Sequence, residues 1–231
     1  RIHTVSGFIK EQGVARKRGS WSVGKRPSSA IHWDKDFFKR NCPVTAYWAG
    51  FIFADGCIVD GSSKILTLSV TDIEHMHDFA EAIGSVGAVH IQGPSEGSKF
   101  PCARVRVSGM HLIEDLRRWG IVPAKTYNFV APEIPDELVP HYIRGWFDGD
   151  GYFRERHNKE AFRITTCIGA EEWCAEQLRI LGYTGHIGFE RKDGQAWSKI
   201  VISGRKNIAW VFNAIAGYPR LERKWSKIDA F

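Results

Sequence analysis

Two segments of the chain, Trp48-Ala-Gly-Phe-Ile-Phe-Ala-Asp55-Gly56 and Ile143-Arg-Gly-Trp-Phe-Asp-Gly-Asp150-Gly151, decide its fold. Each is largely apolar, contains a pair of small residues four positions apart and stops at Asp-Gly. Residues four apart lie on one face of a helix, and glycine inside a helix costs about 1 kcal/mol relative to alanine. The pattern indicates two helices that pack closely through their small residues. These residues are Gly50, Ala54, Gly145 and Gly149.

The two segments begin two copies of one succession of elements. Their Asp-Gly stops are 95 residues apart, and the junction Ser108-Gly109 in the first copy is answered by Ser203-Gly204 in the second. The first copy is predicted to contain a helix over 46–54, a hairpin over 57–71, a helix over 72–84, a hairpin over 86–108 and a helix over 111–119. The second copy has the corresponding elements over 137–149, 152–169, 170–182, 184–203 and 206–216. The pattern predicts an α+β fold of two αββαββα repeats.

Positive charge is concentrated near the N-terminus. The chain has a net charge of +6 and a pI near 9.1, and residues 1–41 hold ten Lys/Arg against three Asp/Glu. We predict a basic arm over 1–41, a first repeat over 42–131, a linker over 132–136 and a second repeat over 137–231. Within the arm, residues 13–27 are predicted to lie along phosphates, or else to be a solvated leader. The arm residues predicted to contact DNA are Arg16, Arg18, Lys25 and Arg26.

The composition is that of a folded globular protein, with 43% hydrophobic and 25% charged residues. No apolar run approaches the roughly 20 residues that a membrane-spanning helix needs, and the basic N-terminus lacks the apolar segment of a signal peptide. We therefore expect an intracellular protein. The first residue is Arg1, which suggests a trimmed chain or a piece of a longer protein. The five cysteines are scattered and form no CxxC pair, which argues against a zinc site or a disulfide framework.

The aspartates that end the two segments indicate metal chemistry. A carboxylate at a helix C-terminus faces the negative end of the helix dipole, which costs about 0.3 to 1 kcal/mol, and two converging carboxylates repel each other. A divalent cation between Asp55 and Asp150 removes both penalties, and oxygen ligands suit magnesium. Metal-assisted phosphodiester hydrolysis follows. Asp-Gly is also a common helix stop, but its recurrence in matched repeats favours a functional role.

The histidines offer no second metal site. His75 and His77 lie two residues apart in a predicted helix. Side chains two apart on a helix point to different faces. We therefore do not expect these two rings to share a cation.

Alternation along the strands identifies a candidate DNA-binding face. In Ala103-Arg-Val-Arg-Val107, the apolar residues are predicted to point to the core and the arginines to the opposite face. Helices are expected to cover one face of each sheet and to leave the other open. Arginines on an open face can contact guanine in the major groove. The DNA-facing residues predicted in this way are Thr67, Ser69, Arg104 and Arg106 in the first repeat and Arg154, Arg156, Arg163, Thr165 and Lys199 in the second.

The two segments, with the lead-in Asp36-Phe-Phe38, resemble the LAGLIDADG homing endonucleases of the single-chain, two-motif type. The resemblance covers about residues 35–231. It implies a saddle of antiparallel sheets in the major groove of a duplex site of about twenty base pairs, with the two motif helices at the central interface. Because one chain holds both motifs, a monomer bound to double-stranded DNA is expected.

The resemblance also implies the chemistry. The residues that would bind metal are Asp55 and Asp150, with the preceding Ala54 and Gly149. Mg²⁺ is the expected cofactor, Mn²⁺ is expected to substitute for it, and Ca²⁺ is expected to support binding without cleavage. Cleavage would leave short 3′ overhangs.

A lysine near each scissile phosphate is a further implication, placed after the last strand and helix of each repeat. Lys125, in Gly120-Ile-Val-Pro-Ala-Lys-Thr126, fits this pattern. Lys224 resembles its counterpart, with Arg223 and Lys227 as close competitors. The expected role of these lysines is to polarise solvent and to stabilise transition-state charge.

The sequence departs from the family pattern at several positions. Phe53 replaces the earlier acidic residue of the first motif, whereas Asp148 keeps it in the second. Arg144 and Gly149 replace alanines. Asp148 and Asp150 point to different faces of one helix, so Asp148 is predicted to be structural. Asp72 stands where the family often keeps a polar active-site residue, and Ala170 answers it in the second repeat.

The function predicted is site-specific double-strand DNA cleavage, with a role in intron or intein homing. Two alternatives use the same fold: an RNA maturase and a DNA-binding regulator without cleavage. Both aspartates and at least one matching lysine argue against the regulator, but they do not distinguish a maturase. An intein origin is a third idea, although Arg1 and Phe231 supply no self-splicing chemistry at the ends of the chain.

Overall fold

Two four-stranded antiparallel sheets, each with helices on one face, form the fold. The computed structural model describes residues 32–94, 100–154 and 160–231. The first repeat contains α1 (Pro43–Asp55), β1 (Cys57–Asp60), β2 (Lys64–Val70), α2 (Ile73–Ala82), β3 (His90–Gln92), β4 (Cys102–Ser108) and α3 (Leu112–Arg117). The second contains α4 (Val139–Asp150), β5 (Gly151–Arg154), β6 (Ala161–Cys167), α5 (Ala170–Ile180), β7 (Gly188–Arg191), β8 (Trp197–Ser203), α6 (Arg205–Ile215) and α7 (Glu222–Ile228). Short 3₁₀ turns lie at Phe37–Lys39, Val86–Ala88 and Asp136–Leu138.

The two sheets have the same topology. Their strand orders are β1-β2-β4-β3 and β5-β6-β8-β7. The registers also correspond, since Ser108 pairs with Ile65 in the first sheet and Ser203 pairs with Ala161 in the second. The predicted α+β fold of two αββαββα repeats is therefore confirmed.

One helix and one strand differ from the prediction. The last helix predicted in the second repeat spans 206–216, but α7 follows it. Only Trp225 and Ile228 of that helix are buried, and two apolar positions in a polar segment give too weak a period to predict a helix. The hairpin predicted over 86–108 begins with a 3₁₀ turn, so its first strand is short.

The motif helices α1 and α4 run through the centre of the core. In α1 every residue from Thr45 to Phe53 is buried, as expected for a helix enclosed on all sides. Each helix has a proline in its first turn, where the missing N–H group costs no hydrogen bond. Buried strand residues such as Val105 and Ile200 face the helices, and the open sheet faces lie on the other side.

Some predictions concern residues outside the described ranges. These are the arm residues Arg16, Arg18, Lys25 and Arg26, and Arg156. The predicted linker over 132–136 is described: it is irregular up to Pro135, and Glu133 N–H donates to the carbonyl of Arg118 at 2.8 Å. Across residues 32–94, 100–154 and 160–231, none of the helices has the length and apolar character needed to cross a membrane.

Candidate functional site

The two motif helices meet at their predicted small residues. A Cβ added to Gly50 would lie 2.0 Å from the carbonyl oxygen of Tyr142, and one added to Gly145 would lie 1.9 Å from that of Tyr47. These distances are too short for any side chain, so glycine is required at both places. Gly50 and Gly145 are 95 residues apart, as are Tyr47 and Tyr142. The predicted close packing of the helices is confirmed, and it follows the repeat symmetry.

This packing brings the two aspartates together. A Cβ added to Gly149 would lie 2.3 Å from Cβ of Ala54 and 3.3 Å from Oδ2 of Asp55, so the Asp55 carboxylate lies against the end of α4. Partial loss of hydration raises the pKa of Asp55. The same cause raises the pKa of Asp150 to about 6, and the negative charge of Asp55 contributes to that increase. Two carboxylates therefore share one region at the helix ends.

Lysines occupy matching places at the two helix ends. Lys125 Nζ donates to the carbonyl of Gly56. Lys224 Nζ donates to the carbonyl of Gly151 at 2.7 Å, and also to those of Phe147 and Gly149 at 2.9 and 3.1 Å. Gly56 and Gly151 are 95 residues apart, so the two lysines are structural counterparts. They bond carbonyls in the last turn of each motif helix and just beyond it, where most carbonyls have no partner within the helix.

The competitors of Lys224 have other surroundings at the level of their side chains. Arg223 forms an ion pair with Asp72, Nε to Oδ1 at 2.6 Å, and Lys227 is exposed. Burial lowers the pKa of Lys224 to about 8 and also lowers the pKa of Lys125. Both ammonium groups are thus partly dehydrated beside the two aspartates.

A buried polar network lies behind the helix ends. Asp148 is fully buried and accepts hydrogen bonds from Tyr47 Oη, Leu221 N and Trp225 Nε1 at 2.7 to 2.8 Å. The Tyr47 hydroxyl also bonds His75 Nε2 at 2.8 Å. Burial raises the pKa of Asp148 to about 6, against the effect of these hydrogen bonds. Asp148 thus joins α1, α4 and the start of α7.

Arg144 fixes the turn that leads to α7. Its side chain is fully buried, and its guanidinium donates to the carbonyls of Ile215, Tyr218 and Pro219 at 2.8 to 3.0 Å. A buried charge of this kind requires such partners. The substitution of arginine for a small motif residue therefore supports the helix that carries Lys224.

The open face of the first sheet carries all four residues predicted for it. Arg104 and Arg106 alternate with buried residues along β4. Ser69 pairs with Arg104 and Thr67 with Arg106 across the strands, and Arg104 Nε donates to Ser69 Oγ at 3.0 Å. Two cationic side chains thus stand beside two hydroxyls on a solvent-facing surface.

The open face of the second sheet differs in charge. Arg163 and Lys199 lie on it with Thr165, which pairs with Lys199 as Ser69 pairs with Arg104. Glu190 pairs with Lys199 on the neighbouring strand. Its carboxylate lies 3.3 Å from Arg163 Nη2 and 4.0 Å from Lys199 Nζ. Arg154 is half-buried at the end of β5, on the same side of the sheet. Glu190 was not among the predicted residues.

Comparison with known proteins gives structural matches alone. No protein-family model matches the sequence, and no curated protein does. The homing endonuclease I-WcaI, bound to its DNA recognition sequence, superimposes with a TM-score of 0.55 at 13% identity over 82% of this chain and 90% of its own. Mesophilic variants of the homing endonuclease I-DmoI give 0.53 at 16% identity over 81% and 97%. The N-terminal LAGLIDADG domain of DUF199/WhiA gives 0.54 at 14% identity over 85% and 92%.

This chain has the LAGLIDADG fold. Each of these LAGLIDADG structures matches more than four fifths of the chain, so the shared fold includes both repeats. At sequence identities of 13 to 16%, these comparisons support a shared fold and nothing further. The residues must therefore carry any argument about chemistry.

The LAGLIDADG helix ends fit a magnesium ion. Among residues 32–94, 100–154 and 160–231 there is no cluster of three or more His, Cys, Asp or Glu able to hold a metal. Asp55 and Asp150 supply two converging carboxylates with raised pKa values. Mg²⁺ commonly takes one or two carboxylates and completes its shell with water and phosphate oxygens. The carbonyl of Gly149, by contrast, is engaged by Lys224.

Several residues of the LAGLIDADG core were not anticipated. His75 and Tyr47 form part of the network around Asp148, and Arg144 binds a turn more than seventy residues away. Their partners are distant in sequence, so no local pattern could identify them. The sequence offered one signal, which is that His75 lies beside apolar residues of a predicted helix.

Proposed function

We propose that the chain is a site-specific double-strand DNA endonuclease that hydrolyses phosphodiester bonds with Mg²⁺. The proposal rests on one observation. An aspartate and a lysine lie at the C-terminal end of each motif helix, and the two ends converge and are related by the repeat symmetry. A duplex has two backbones related by approximate twofold symmetry. Two equivalent sets in one chain suit the cleavage of both strands by a monomer.

In this mechanism the protein groups have separate roles. Asp55 and Asp150 hold the cation through their carboxylates. When bound, magnesium supplies an activated water and neutralises charge at the leaving oxygen. Lys125 and Lys224, fixed by helix-end carbonyls, place positive charge beside the phosphates and stabilise the negative charge that develops there. The half-buried helix ends strengthen these interactions because water screens them less.

The open sheet faces would bind the duplex. Arg104, Arg106, Arg163 and Lys199 supply cations for phosphates and base edges. Thr67, Ser69 and Thr165 supply hydroxyls for either. A site of about twenty base pairs, spanned through its major groove and cut to leave 3′ overhangs, is the proposed substrate. Mn²⁺ is expected to replace Mg²⁺, and Ca²⁺ to support binding alone.

Cleavage selection from a random duplex library tests the proposal. Wild type is compared with Asp55→Asn, Asp150→Asn and a control, Asp136→Asn, which removes an exposed carboxylate outside the site. Wild type and control should cut both strands of one long site, and the two site variants should bind it with at least about a 100-fold loss of cleavage. Site-specific binding by a wild type that never cuts would indicate a DNA-binding regulator. If no DNA is enriched, structured RNA becomes the substrate to test.

A further inference from the structure

The two catalytic pockets have different compositions. The Asp55 carboxylate lies against Gly149, whose carbonyl accepts a hydrogen bond from Lys224 Nζ, and Lys224 is the cation with the strongest effect on the Asp55 pKa. By the repeat symmetry Lys125 takes the corresponding place beside Asp150, and it is the cation with the strongest effect on the Asp150 pKa. Each pocket therefore combines the aspartate of one repeat with the lysine of the other. We name them the Asp55 pocket and the Asp150 pocket.

An ion pair between the repeats belongs to the Asp55 pocket. Arg223 Nε donates to Asp72 Oδ1 at 2.6 Å, and the Arg223 side chain is 60% exposed while that of Asp72 is 22% exposed. Both residues line a cleft of about 720 Å³ together with Asp55 and Gly149. The charges of both act on the pKa of Asp55. The ion pair therefore stands where a DNA backbone would approach the carboxylate.

The Asp150 pocket has alanines at the matching positions. Ala170 corresponds to Asp72, and Ala124, which precedes Lys125, corresponds to Arg223. Methyl side chains form no ion pair. The neighbours of Lys125 include the thiols of Cys57 and Cys167, which carry no positive charge. Lys125 is thus the pocket's nearest cation, whereas the Asp55 pocket has Lys224 and a guanidinium.

The geometry points to Arg223 as a phosphate-binding catalytic residue of the Asp55 pocket, held in place by Asp72, so that the two DNA strands are cut at unequal rates. This inference rests on the proposed endonuclease function. Arg223 uses Nε to bond Asp72, which leaves its terminal amino groups able to form a bidentate contact with a phosphate. An added cation at the developing charge accelerates cleavage. The strand in the Asp55 pocket is therefore cut first.

A duplex carrying the selected site, with a different label on each strand, tests this inference in single turnover. Wild type should form a nicked intermediate cut on one strand. Arg223→Ala should slow that strand by about 10- to 100-fold and leave the other within about 3-fold, which reverses the order of cutting. Arg223→Lys should restore part of the lost rate. Lys206→Ala, which removes an exposed cation from α6 outside the cleft, should leave the order unchanged.

Asp72 is tested as the positioning residue. Asp72→Asn should slow the same strand by a smaller factor and should have no added effect in an Arg223→Ala background, as expected for residues that act as one unit. Lys224→Ala should slow the strand that Arg223→Ala slows, and Lys125→Ala the other one.

Three outcomes would overturn the inference. Equal cleavage rates on both strands with the wild-type protein would contradict the predicted order of cutting. Equal slowing of both strands by Arg223→Ala, with a lowered melting temperature, would assign the ion pair a structural role. A wild type that binds its selected site and cuts neither strand would overturn the endonuclease proposal as well, and so separates the two failures.

Discussion

Tyr47 and Tyr142 occupy matching positions on the two motif helices and have different surroundings. Both are fully buried. The Tyr47 hydroxyl lies in a polar network with His75 and Asp148. The ring of Tyr142 packs against Trp173, with 5.6 Å between ring centroids. The hydroxyl of Tyr47 thus lies in an ionisable cluster, whereas the ring of Tyr142 lies in aromatic packing.

The backbone contacts at the same interface are nearly identical. An added Cβ would lie 2.0 Å from a carbonyl oxygen of the opposite helix at Gly50 and 1.9 Å from one at Gly145. The glycines therefore determine how the two helices cross, because the carbonyl of the opposite helix leaves no room for a side chain at these two positions. The side chains around the crossing are free to differ as long as each polar group keeps a partner.

The sheets show the same division between backbone and side chains. Their topology and register correspond, but Glu190 balances cations on the second open face. On the first face, Arg104 bonds a neutral hydroxyl. The two faces would therefore contribute unequally to DNA affinity.

The largest expected effect tests the shared backbone contact. Gly50→Ala and Gly145→Ala should each lower the free energy of unfolding by about 3 kcal/mol, because the new methyl group would overlap a carbonyl oxygen. Gly61→Ala, whose added Cβ has no neighbour within 4 Å, serves as the control. Denaturant unfolding gives the comparison. Tolerance of one substitution and not the other would show that the helix crossing is not symmetric.

The next effect distinguishes the polar from the aromatic surroundings. Burial lowers the pKa of His75 from 6.5 to about 3. Below pH 6.5 the unfolded chain takes up a proton that the folded protein does not, so this residue's contribution to stability is lost as pH falls toward 3. At pH 5 the loss is about 2 kcal/mol. Asp148, with its raised pKa of about 6, gives a slope of opposite sign.

Variants isolate the histidine. Unfolding from pH 7 to pH 5 is followed for wild type, His75→Gln and Trp173→Phe, the last of which alters the corresponding place beside Tyr142. His75→Gln should lose less stability over this range than wild type, and Trp173→Phe as much. Equal pH dependence in all three proteins would contradict the prediction.

A third prediction compares the two lysines. Lys224 bonds three carbonyls and has a pKa of about 8, so its positive charge is lost as pH rises through 8. At pH 9 the strand that depends on Lys224 should be cut about 10-fold more slowly than at pH 7, since one pKa unit corresponds to a factor of ten. Lys224→Arg should flatten that decline, because arginine stays charged. A decline that persists in this variant would assign it to another group.

The smallest effects concern the sheet faces. Arg106→Ala should weaken DNA binding by about 10-fold and Arg163→Ala by about 3-fold, because Glu190 already balances part of the Arg163 charge. Glu190→Gln should strengthen non-specific binding by about 3-fold and steepen its salt dependence. Titrations at two salt concentrations measure both. Equal losses from the two arginine variants would mean that Glu190 moves away when DNA binds.

Features that depend on local periodicity or on repetition could be predicted from sequence. The motif helices, the order of elements and the outward position of Arg104 and Arg106 belong to this class, and the structure confirms them. The residues chosen for catalysis, Asp55 and Asp150, lie together at the helix ends, and their chemistry stays a prediction. Lys224 could be separated from Arg223 and Lys227 only by its contacts.

Features that depend on distant partners could not be predicted. Glu190 lies on an edge strand, and its pairing with Arg163 follows from strand register. The role of Arg144 depends on carbonyls at the end of α6 and beyond. Sequence identified Arg144 as unusual for its position but could not identify its partners.

The contact between Tyr47 and Asp148 has a consequence for the identity of the halves. The position that corresponds to Asp148 in the first repeat holds Phe53, which packs on Trp146 with 5.0 Å between ring centroids. Two copies of the first half, joined as a homodimer, would place Phe53 where the Tyr47 hydroxyl meets Asp148. That hydroxyl would keep its bond to His75 and lose its hydrogen bond to a carboxylate, a bond typically worth about 1.5 to 3 kcal/mol. The chain thus joins two unlike halves, and the first half can make this hydrogen bond to a carboxylate only with the second.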